Sequence, residues 1–225
     1  MLKIRTLAIG LILLITANQK LIAQDTDNEL WTSIELAYKL NKTFDLEFRE
    51  MLRLSDNLGE IDQFYSQLGL GIDLSKSFEI MPAYRFTRDH DYKGKIQGYE
   101  SVGRFQIDLR YKQKINRVNL TYRFRYQNKN YLTEDKQSED ALRFKLRTRY
   151  NIRNWKLDPI LSYEYFSEIN KDVESNNRYR ITLSTSYKLK KSSRLIFAYS
   201  YEQDLGNPIS SAVNSFRIKY AFDLN

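Results

Sequence analysis

The sequence predicts an all-β protein, an antiparallel transmembrane β-barrel of about 10–12 strands with short periplasmic turns and longer extracellular loops. Three observations carry this prediction. Apolar and polar residues alternate with a period of two in eleven runs. Tyrosine and phenylalanine are abundant, at 17 and 12 residues, and they cluster near the ends of the runs. After the N-terminal segment, no stretch approaches the roughly 18 uncharged apolar residues that a transmembrane helix needs.

Residues 1–23 have the pattern of a secretory signal peptide. Lys3 and Arg5 form a positive start, and the apolar core from Leu7 to Ala17 is too short to span a bilayer. Cleavage after Ala23 would leave residues 24–225 as the mature chain. The sequence therefore predicts export by the Sec pathway, and a chain without a membrane helix can enter a membrane only as a closed barrel.

Each alternating run has the length and the pattern of a β-strand with one apolar and one polar face. Turn residues such as asparagine, serine and lysine separate many of the runs. In order along the chain, the eleven runs cover residues 30–40, 44–54, 67–74, 78–86, 104–111, 118–126, 142–150, 157–165, 179–189, 195–201 and 216–224.

The polar positions carry full charges, while the other face stays apolar through all eleven runs. A soluble sandwich would not combine these two features. If such a sheet closes into a barrel, every backbone polar group finds a hydrogen-bond partner and the apolar face lies against lipid. Because bacterial barrels normally have an even number of strands, ten or twelve is the expected number, with a short additional strand in 24–29 as one solution.

The connections between runs alternate in length, as outer-membrane barrels do. Short connections are expected near Asn41, Ser75, Gln113, Ile152 and Lys190. Long polar connections are expected at 55–62, 88–99, 127–140, 167–177 and 203–212. The short ones are assigned to the periplasm and the long ones to the cell surface.

The charge and the composition exclude several classes of function. A formal charge of +8 would suit a nucleic-acid-binding protein, but the alternating apolar face has no use in one. Cysteine is absent and His90 is the only histidine, so neither a thiolate site nor a multi-histidine metal site is expected. No cofactor is predicted.

The inward face holds the candidate functional residues. A basic row is predicted on the fifth, sixth and seventh runs, and acidic partners are predicted on the first four. The basic row comprises Arg104, Arg110, Arg123, Arg125, Arg143, Lys145, Arg147 and Arg149, and the acidic residues are Glu35, Asp45, Glu47, Asp73 and Glu79. These sectors are expected to face each other across the bore. The size of the barrel favours a filled or very narrow bore over a water-filled one.

Two residues interrupt the pattern. Glu50 lies on the apolar face of the second run, where an interface or a bulge would lower its cost. His90 lies between two aspartates beside a long connection, and a histidine there could act as a base. Because no nucleophile motif accompanies His90, a solvated loop residue is the favoured interpretation.

The chain resembles the domain-of-unknown-function 2490 family, predicted outer-membrane barrels found largely in Bacteroidota. The resemblance rests on "AQD" after the signal segment, the opening hairpin "ELWTSIELAYKLNKTFDLEFREMLR", "PAYRF" in the fourth run and the final "FRIKYAFDLN". It covers essentially the whole mature chain. The family implies a barrel fold and an outer-membrane location, and it supplies no substrate and no catalytic residues.

The sequence therefore predicts a non-enzymatic outer-membrane barrel, either structural or a narrow pore for small polar or anionic solutes. The alternatives are a surface adhesion or scaffold protein, or a subunit of an envelope complex, acting through its extracellular loops. A barrel-type lipid hydrolase ranks third. The predicted partners are outer-membrane lipid, the barrel-assembly machinery during biogenesis and other envelope proteins, with no nucleic acid.

Overall fold

The structure, a computed structural model, describes residues 27–91, 98–132, 136–169, 177–206 and 212–224. All eleven runs form strands, although most strands extend beyond the predicted limits. In chain order they are β1 (Asp27–Lys39), β2 (Phe44–Ser55), β3 (Glu60–Asp73), β4 (Phe78–Asp91), β5 (Gly98–Ile115), β6 (Val118–Tyr131), β7 (Glu139–Tyr150), β8 (Ile160–Glu168), β9 (Arg178–Lys190), β10 (Ser193–Asp204) and β11 (Val213–Asp223).

The strands form one closed barrel in which each pairs with its neighbours in sequence and β1 pairs with β11. The expected count of ten or twelve is wrong, because the described barrel closes with eleven. Ten antiparallel steps leave β1 and β11 pointing in the same direction, so the closing pair is parallel, from Asp27↔Val213 to Ala37↔Asp223. The barrel is therefore antiparallel everywhere except at this seam. The extra strand considered for 24–29 falls partly outside the described residues, and 27–29 belong to β1 itself.

The two faces of the barrel are inverted relative to a soluble protein. Large apolar side chains point outward and are exposed, among them Leu68 and Leu161, each 55% exposed. Charged side chains point inward and are buried, among them Asp108 and Glu164 at 0% and 2% exposed. Period-two alternation produces this separation, since successive side chains of a strand point to opposite faces. An apolar exterior of this extent is the feature that membrane barrels share.

The lengths of the connections agree with the predicted alternation only in part. At one end, four connections are short, with four residues at 40–43 and 74–77 and two at 116–117 and 191–192. The fifth connection at that end, 151–159, has nine residues, so the short turn expected near Ile152 is wrong.

At the opposite end, six to nine residues separate the strands at 92–97, 132–138, 169–177 and 205–212. The long connection expected at 55–62 is instead a four-residue turn, 56–59. Asp56, Asn57 and Leu58 all have positive φ angles there. This backbone conformation lets the chain reverse within four residues.

Candidate functional site

A cavity of about 1170 Å³ occupies the bore. Its walls come from all strands, and it reaches from Glu168 and Glu202 near one end to Lys188 and Arg194 near the other. The lining contains eighteen lysines and arginines but only seven aspartates and glutamates. Cations therefore exceed carboxylates by eleven around a single cavity.

The predicted basic and acidic residues fall in different parts of the bore. Seven of the eight basic residues line the cavity, Arg110 being the exception. None of the five predicted acidic residues lines it. The expectation of a filled or very narrow bore therefore holds only for the sector in which those acidic residues lie.

The filled sector lies toward the 40–43 and 74–77 turns and is held by ion pairs. Arg110 donates to Glu79 at 2.7 Å and to Asp108 at 3.2 Å. Arg49 donates to Glu35 at 2.5 Å and to Glu47 at 2.7 Å. Gly71 lies directly opposite Asp45, and a Cβ atom added at Gly71 would lie only 2.5 Å from the Asp45 carboxylate oxygens.

These contacts correct the expectation that the basic and acidic sectors pair across the bore. Among the described residues, the ion pairs between strand residues lie within one strand or join neighbouring strands or strands one apart. Glu79–Arg110 is the one ion pair between a predicted acidic and a predicted basic residue in the described ranges. Charges at directly opposed positions on adjacent strands are close enough to pair without crossing the bore.

Glu164 on β8 is the principal carboxylate in the cavity wall. Arg143 donates to its Oε1 at 2.5 and 2.9 Å, and Arg123 donates to the same oxygen at 2.5 Å. Lys145 lies 3.3 Å from its other oxygen. One buried carboxylate therefore compensates three cations from β6 and β7, and Glu164 is not among the residues that sequence reasoning identified.

Asp108 on β5 is a second buried carboxylate that pairs with more than one cation. It is fully buried, and Arg125 donates to its two oxygens from Nε at 2.5 Å and from Nη2 at 2.8 Å. This two-point geometry is the strongest arrangement available to an arginine and a carboxylate. Arg125 is consequently fixed in position and is only 5% exposed.

Other cavity cations have no compensating carboxylate. In the described parts of the chain, Arg85, Arg104 and Arg147 form no ion pair, although all three line the cavity. Arg85 and Arg104 are directly opposite each other on β4 and β5. Like charges at directly opposed positions repel, so this part of the wall concentrates positive charge.

The indole ring of Trp31 packs against a second cluster of arginine side chains. The centroid of Trp31 lies 3.7 Å from the Cζ of Arg217, 4.2 Å from that of Arg53 and 5.0 Å from that of Arg180. Its Nε1 donates to Glu29 at 2.5 Å. Stacking on an aromatic face holds an arginine in place without neutralising it. Arg53 and Arg180 also pair with the carboxylates of Asp62 and Glu202, whereas Arg217 forms no ion pair in the described ranges and directs its positive field into the cavity.

The segment 151–159 closes part of the cavity near the short turns. Trp155, Lys156 and Asp158 all line the cavity. The Asp158 carboxylate accepts hydrogen bonds from Ile152 N at 3.1 Å and from Arg149 Nε at 3.1 Å. Burial acts to raise the pKa of Asp158, but these donors outweigh it and hold that pKa below its ordinary value.

Sequence reasoning missed part of the cavity wall. The missed cations include Arg49, Arg53, Arg85, Arg178, Arg180, Arg217 and Lys219, and the missed carboxylates include Glu164 and Glu202. All lie at inward positions of the same period-two pattern. Counting the inward parity on every strand, rather than on the most basic strands alone, would have found them.

Clustered metal ligands and membrane-spanning helices are not seen in the described ranges. No group of three or more histidine, cysteine or acidic residues there could hold a metal ion. No helix in those ranges is long and apolar enough to cross a membrane. His90, the candidate base, lies on β4 opposite Tyr99, with the ring centroids 5.0 Å apart.

The family described as "Protein of unknown function (DUF2490)" matches residues 28–208. The chain belongs to this family. The match runs from the start of β1 to beyond the end of β10, so it includes nearly all of the wall of the cavity in this DUF2490 barrel. No curated protein matches the chain.

Several solved structures are similar to this DUF2490 barrel. The outer-membrane expressed OmpT of Vibrio cholerae is 12% identical with a TM-score of 0.45, and the match covers 72% of this chain and 54% of that one. The beta domain of the Bordetella autotransporter BrkA is 10% identical with a TM-score of 0.44, covering 81% and 82%. An anion-selective porin from Comamonas acidovorans is 11% identical with a TM-score of 0.40, covering 80% and 52%. The chain thus spans about half the length of OmpT and of the porin.

Proposed function

We propose that this DUF2490 chain is a non-enzymatic integral barrel of the outer membrane that acts as a narrow pore for small anionic solutes. The observation that carries the proposal is the cavity of about 1170 Å³, lined by eighteen cations and seven carboxylates. A low-dielectric wall concentrates such an excess of charge into the bore, where it raises the local concentration of anions.

The outer surface supports a position in a membrane. Apolar side chains cover it, and the strands contain 9 to 18 residues, enough to cross a bilayer at the tilt usual for barrels. Four of the five connections at one end have two to four residues, and we assign that end to the periplasm. Three further points stay predictions from the sequence: export by the Sec pathway, insertion by the barrel-assembly machinery, and an origin in Bacteroidota.

The charge in the bore can be tested without disturbing an ion pair. In the double variant Arg147→Ser and Lys188→Ser, both changed residues line the cavity and neither forms a described ion pair. We expect the refolded wild-type chain to conduct in a planar bilayer and to prefer chloride over potassium in a salt gradient. The variant should shift the reversal potential toward that of a non-selective pore, because two fixed cations leave the wall.

A matched control for that test removes the same charge outside the bore. Lys42 and Lys76 are exposed in the turns 40–43 and 74–77 and do not line the cavity. The double variant Lys42→Ser and Lys76→Ser should keep the wild-type reversal potential, since salt screens exposed charges. A folded wild-type chain that never conducts, or equal shifts in both double variants, would contradict the proposed pore.

The position in the membrane has its own test at Glu50. This residue points outward on β2 and accepts a hydrogen bond from Ser66 Oγ at 2.6 Å. We expect Glu50→Leu to stabilise the barrel in lipid bilayers by about 1–2 kcal/mol, because a carboxylate on the lipid face is unfavourable. The matched change Glu47→Leu on the same strand should instead destabilise it, since Glu47 faces inward and pairs with Arg49. Urea titrations of both variants in bilayers provide the measurement, and a loss of stability in Glu50→Leu would argue against a lipid-facing β2.

A further inference from the structure

Three cations lie side by side across neighbouring strands in the wall of the cavity. Arg85 on β4 is opposite Arg104 on β5, and Arg104 is opposite Lys129 on β6. Of these, only Lys129 has a described carboxylate partner, Glu139 at 3.8 Å. Arg125 on β6 and Arg143 on β7 lie near enough to repel Arg104 further. Repulsion of this kind is relieved when an anion occupies the space between the cations.

The donors in this part of the wall are incompletely used. Arg85 donates through Nε and Nη2 to a single acceptor, Gln67 Oε1, at 3.0 and 2.7 Å, which leaves its Nη1 free of any described partner. The Nε of Arg104 is buried and has no hydrogen-bond partner in the described chain. The same holds for the hydroxyl of Thr87, a residue that is 3% exposed and lines the cavity two positions after Arg85. Buried donors without acceptors are unfavourable, and two of them, Arg104 Nε and the Thr87 hydroxyl, lie together here beside the unused Nη1 of Arg85.

Arg85 is also held rigidly. Its guanidinium lies 3.6 Å from the centroid of the Tyr65 ring, and the residue is 8% exposed. A guanidinium fixed between a ring and an amide oxygen loses little freedom when it binds a ligand. The position therefore has the properties of a preorganised binding group rather than of a solvated side chain.

We propose that Arg85, Thr87 and Arg104 form a binding site for a dianionic oxyanion of the phosphate class, either free phosphate or a phosphomonoester. This inference deepens the proposed function and rests on it for the passage of the anion. Two uncompensated positive charges match a dianion, whereas a monocarboxylate would leave one of them unbalanced. Three terminal oxygens on one centre can accept from both guanidinium groups and from the Thr87 hydroxyl together.

The direct test is calorimetric titration of the refolded mature chain in detergent micelles at pH 8 and constant ionic strength. Inorganic phosphate and glycerol 3-phosphate are the probes, and acetate and chloride are the reference anions. We expect saturable binding of at least one phosphate probe and none of acetate. The variant Arg104→Gln should weaken binding by about tenfold or more, because it removes a charge-assisted hydrogen bond. Arg104→Lys should weaken it less, since the charge remains.

The matched control is Arg147→Gln, which removes one unpaired cation from the same cavity but not from the site. It should bind phosphate like the wild type. Equal weakening in Arg104→Gln and Arg147→Gln would show a diffuse field rather than a site and would overturn the proposal. Succinate, a dicarboxylate dianion, is titrated in the same assay, and tighter binding of succinate than of phosphate would overturn the phosphate assignment.

Stability in the absence of phosphate provides a second measurement. Arg104→Gln should melt at or above the wild-type temperature in phosphate-free chloride buffer, because it relieves the repulsion from Arg85. Phosphate should raise the melting temperature of the wild type but not of the variant. A variant that is less stable than the wild type without phosphate would mean that Arg104 is structural, and the site would be rejected.

Failure of the site and failure of the pore give different results. Phosphate binding in micelles by a chain that is silent in bilayers would support the site and overturn the pore. An anion-selective conductance in a chain that does not bind phosphate would support the pore and overturn the site.

Discussion

Replacing Glu164 with glutamine is expected to cause the largest loss of stability of any single change in the bore. The carboxylate is 2% exposed and compensates Arg123, Arg143 and Lys145. A neutral amide leaves three cations in the wall without a partner. Removing one side of a buried ion pair typically costs about 3–5 kcal/mol, and we expect the free energy of unfolding to fall by that amount.

Urea unfolding of the refolded chain in lipid bilayers measures this change. The control Glu60→Gln removes an exposed carboxylate at the start of β3 and should alter the free energy of unfolding by less than about 0.5 kcal/mol. The double variant Glu164→Gln and Lys145→Gln should recover part of the loss, because one of the uncompensated cations is removed with its partner. A loss below about 1 kcal/mol in Glu164→Gln would show that water and ions already neutralise these cations and that Glu164 contributes little.

The importance of Glu164 also shows what the sequence could predict about the bore. Period-two alternation identified all eleven strands and assigned residues such as Arg143 and Arg147 correctly to the inward face. This succeeded because the side-chain period of a strand is a local property that no tertiary contact alters. The partners of those residues depend on register, which is set by the whole closed barrel. Glu164 lies on β8, away from the first four runs in which acidic partners are predicted, so its role in compensating β6 and β7 could not be seen locally.

The strand count and the connection lengths failed for related reasons. An even number was expected from a general rule about bacterial barrels, and the parallel pairing of β1 with β11 is a property of closure alone. The sequence predicts a strand from residue 157, within the connection 151–159, because Leu157, Pro159 and Leu161 continue the alternation. In the structure, β8 begins only at Ile160, and Asp158 makes contacts with the backbone and side chains of its own segment instead of pairing in the sheet.

The composition of the cavity explains the positive net charge of the chain. A charge of +8 on a soluble protein would be spread over its surface. Here the excess of eleven cations around the cavity is larger than the net charge of the chain, so the remainder of the molecule is slightly acidic on balance. The positive charge is therefore a property of one internal space, and this distinction between bore and surface underlies both the pore and the anion site.

Asp158→Ala is expected to release the segment 151–159 from the cavity wall. The wild-type carboxylate accepts from Ile152 N, from Asn151 Nδ2 at 3.2 Å and from Arg149. Removing charge-assisted hydrogen bonds of this kind costs about 1.5–3 kcal/mol, most of it as local order in the segment. Because Trp155 and Lys156 line the cavity from this segment, its release should widen the bore. We expect a larger and more variable single-channel conductance than in the wild type.

Limited proteolysis tests the same release without any assumption about conduction. Trypsin should cut after Arg153 and Lys156 faster in Asp158→Ala than in the wild type. The control Asp56→Ala, in the exposed turn at the other end of the barrel, should leave both cleavage rates unchanged. Unaltered cleavage in Asp158→Ala would show that other contacts hold the segment.

The dependence on pH follows from the direction of the pKa shift. The donors around Asp158 place its pKa below the ordinary value of 3.8, so the folded segment favours the ionised carboxylate. The stability that this carboxylate provides is complete above that ordinary value, and it is lost as the pH falls through the lowered pKa in the folded state. The wild-type segment should therefore stay closed at neutral and mildly acidic pH and open only in strongly acidic solution. The alanine variant should be open throughout. If wild-type cleavage by an acid-active protease rose already near pH 6, the segment would be governed by a group other than Asp158.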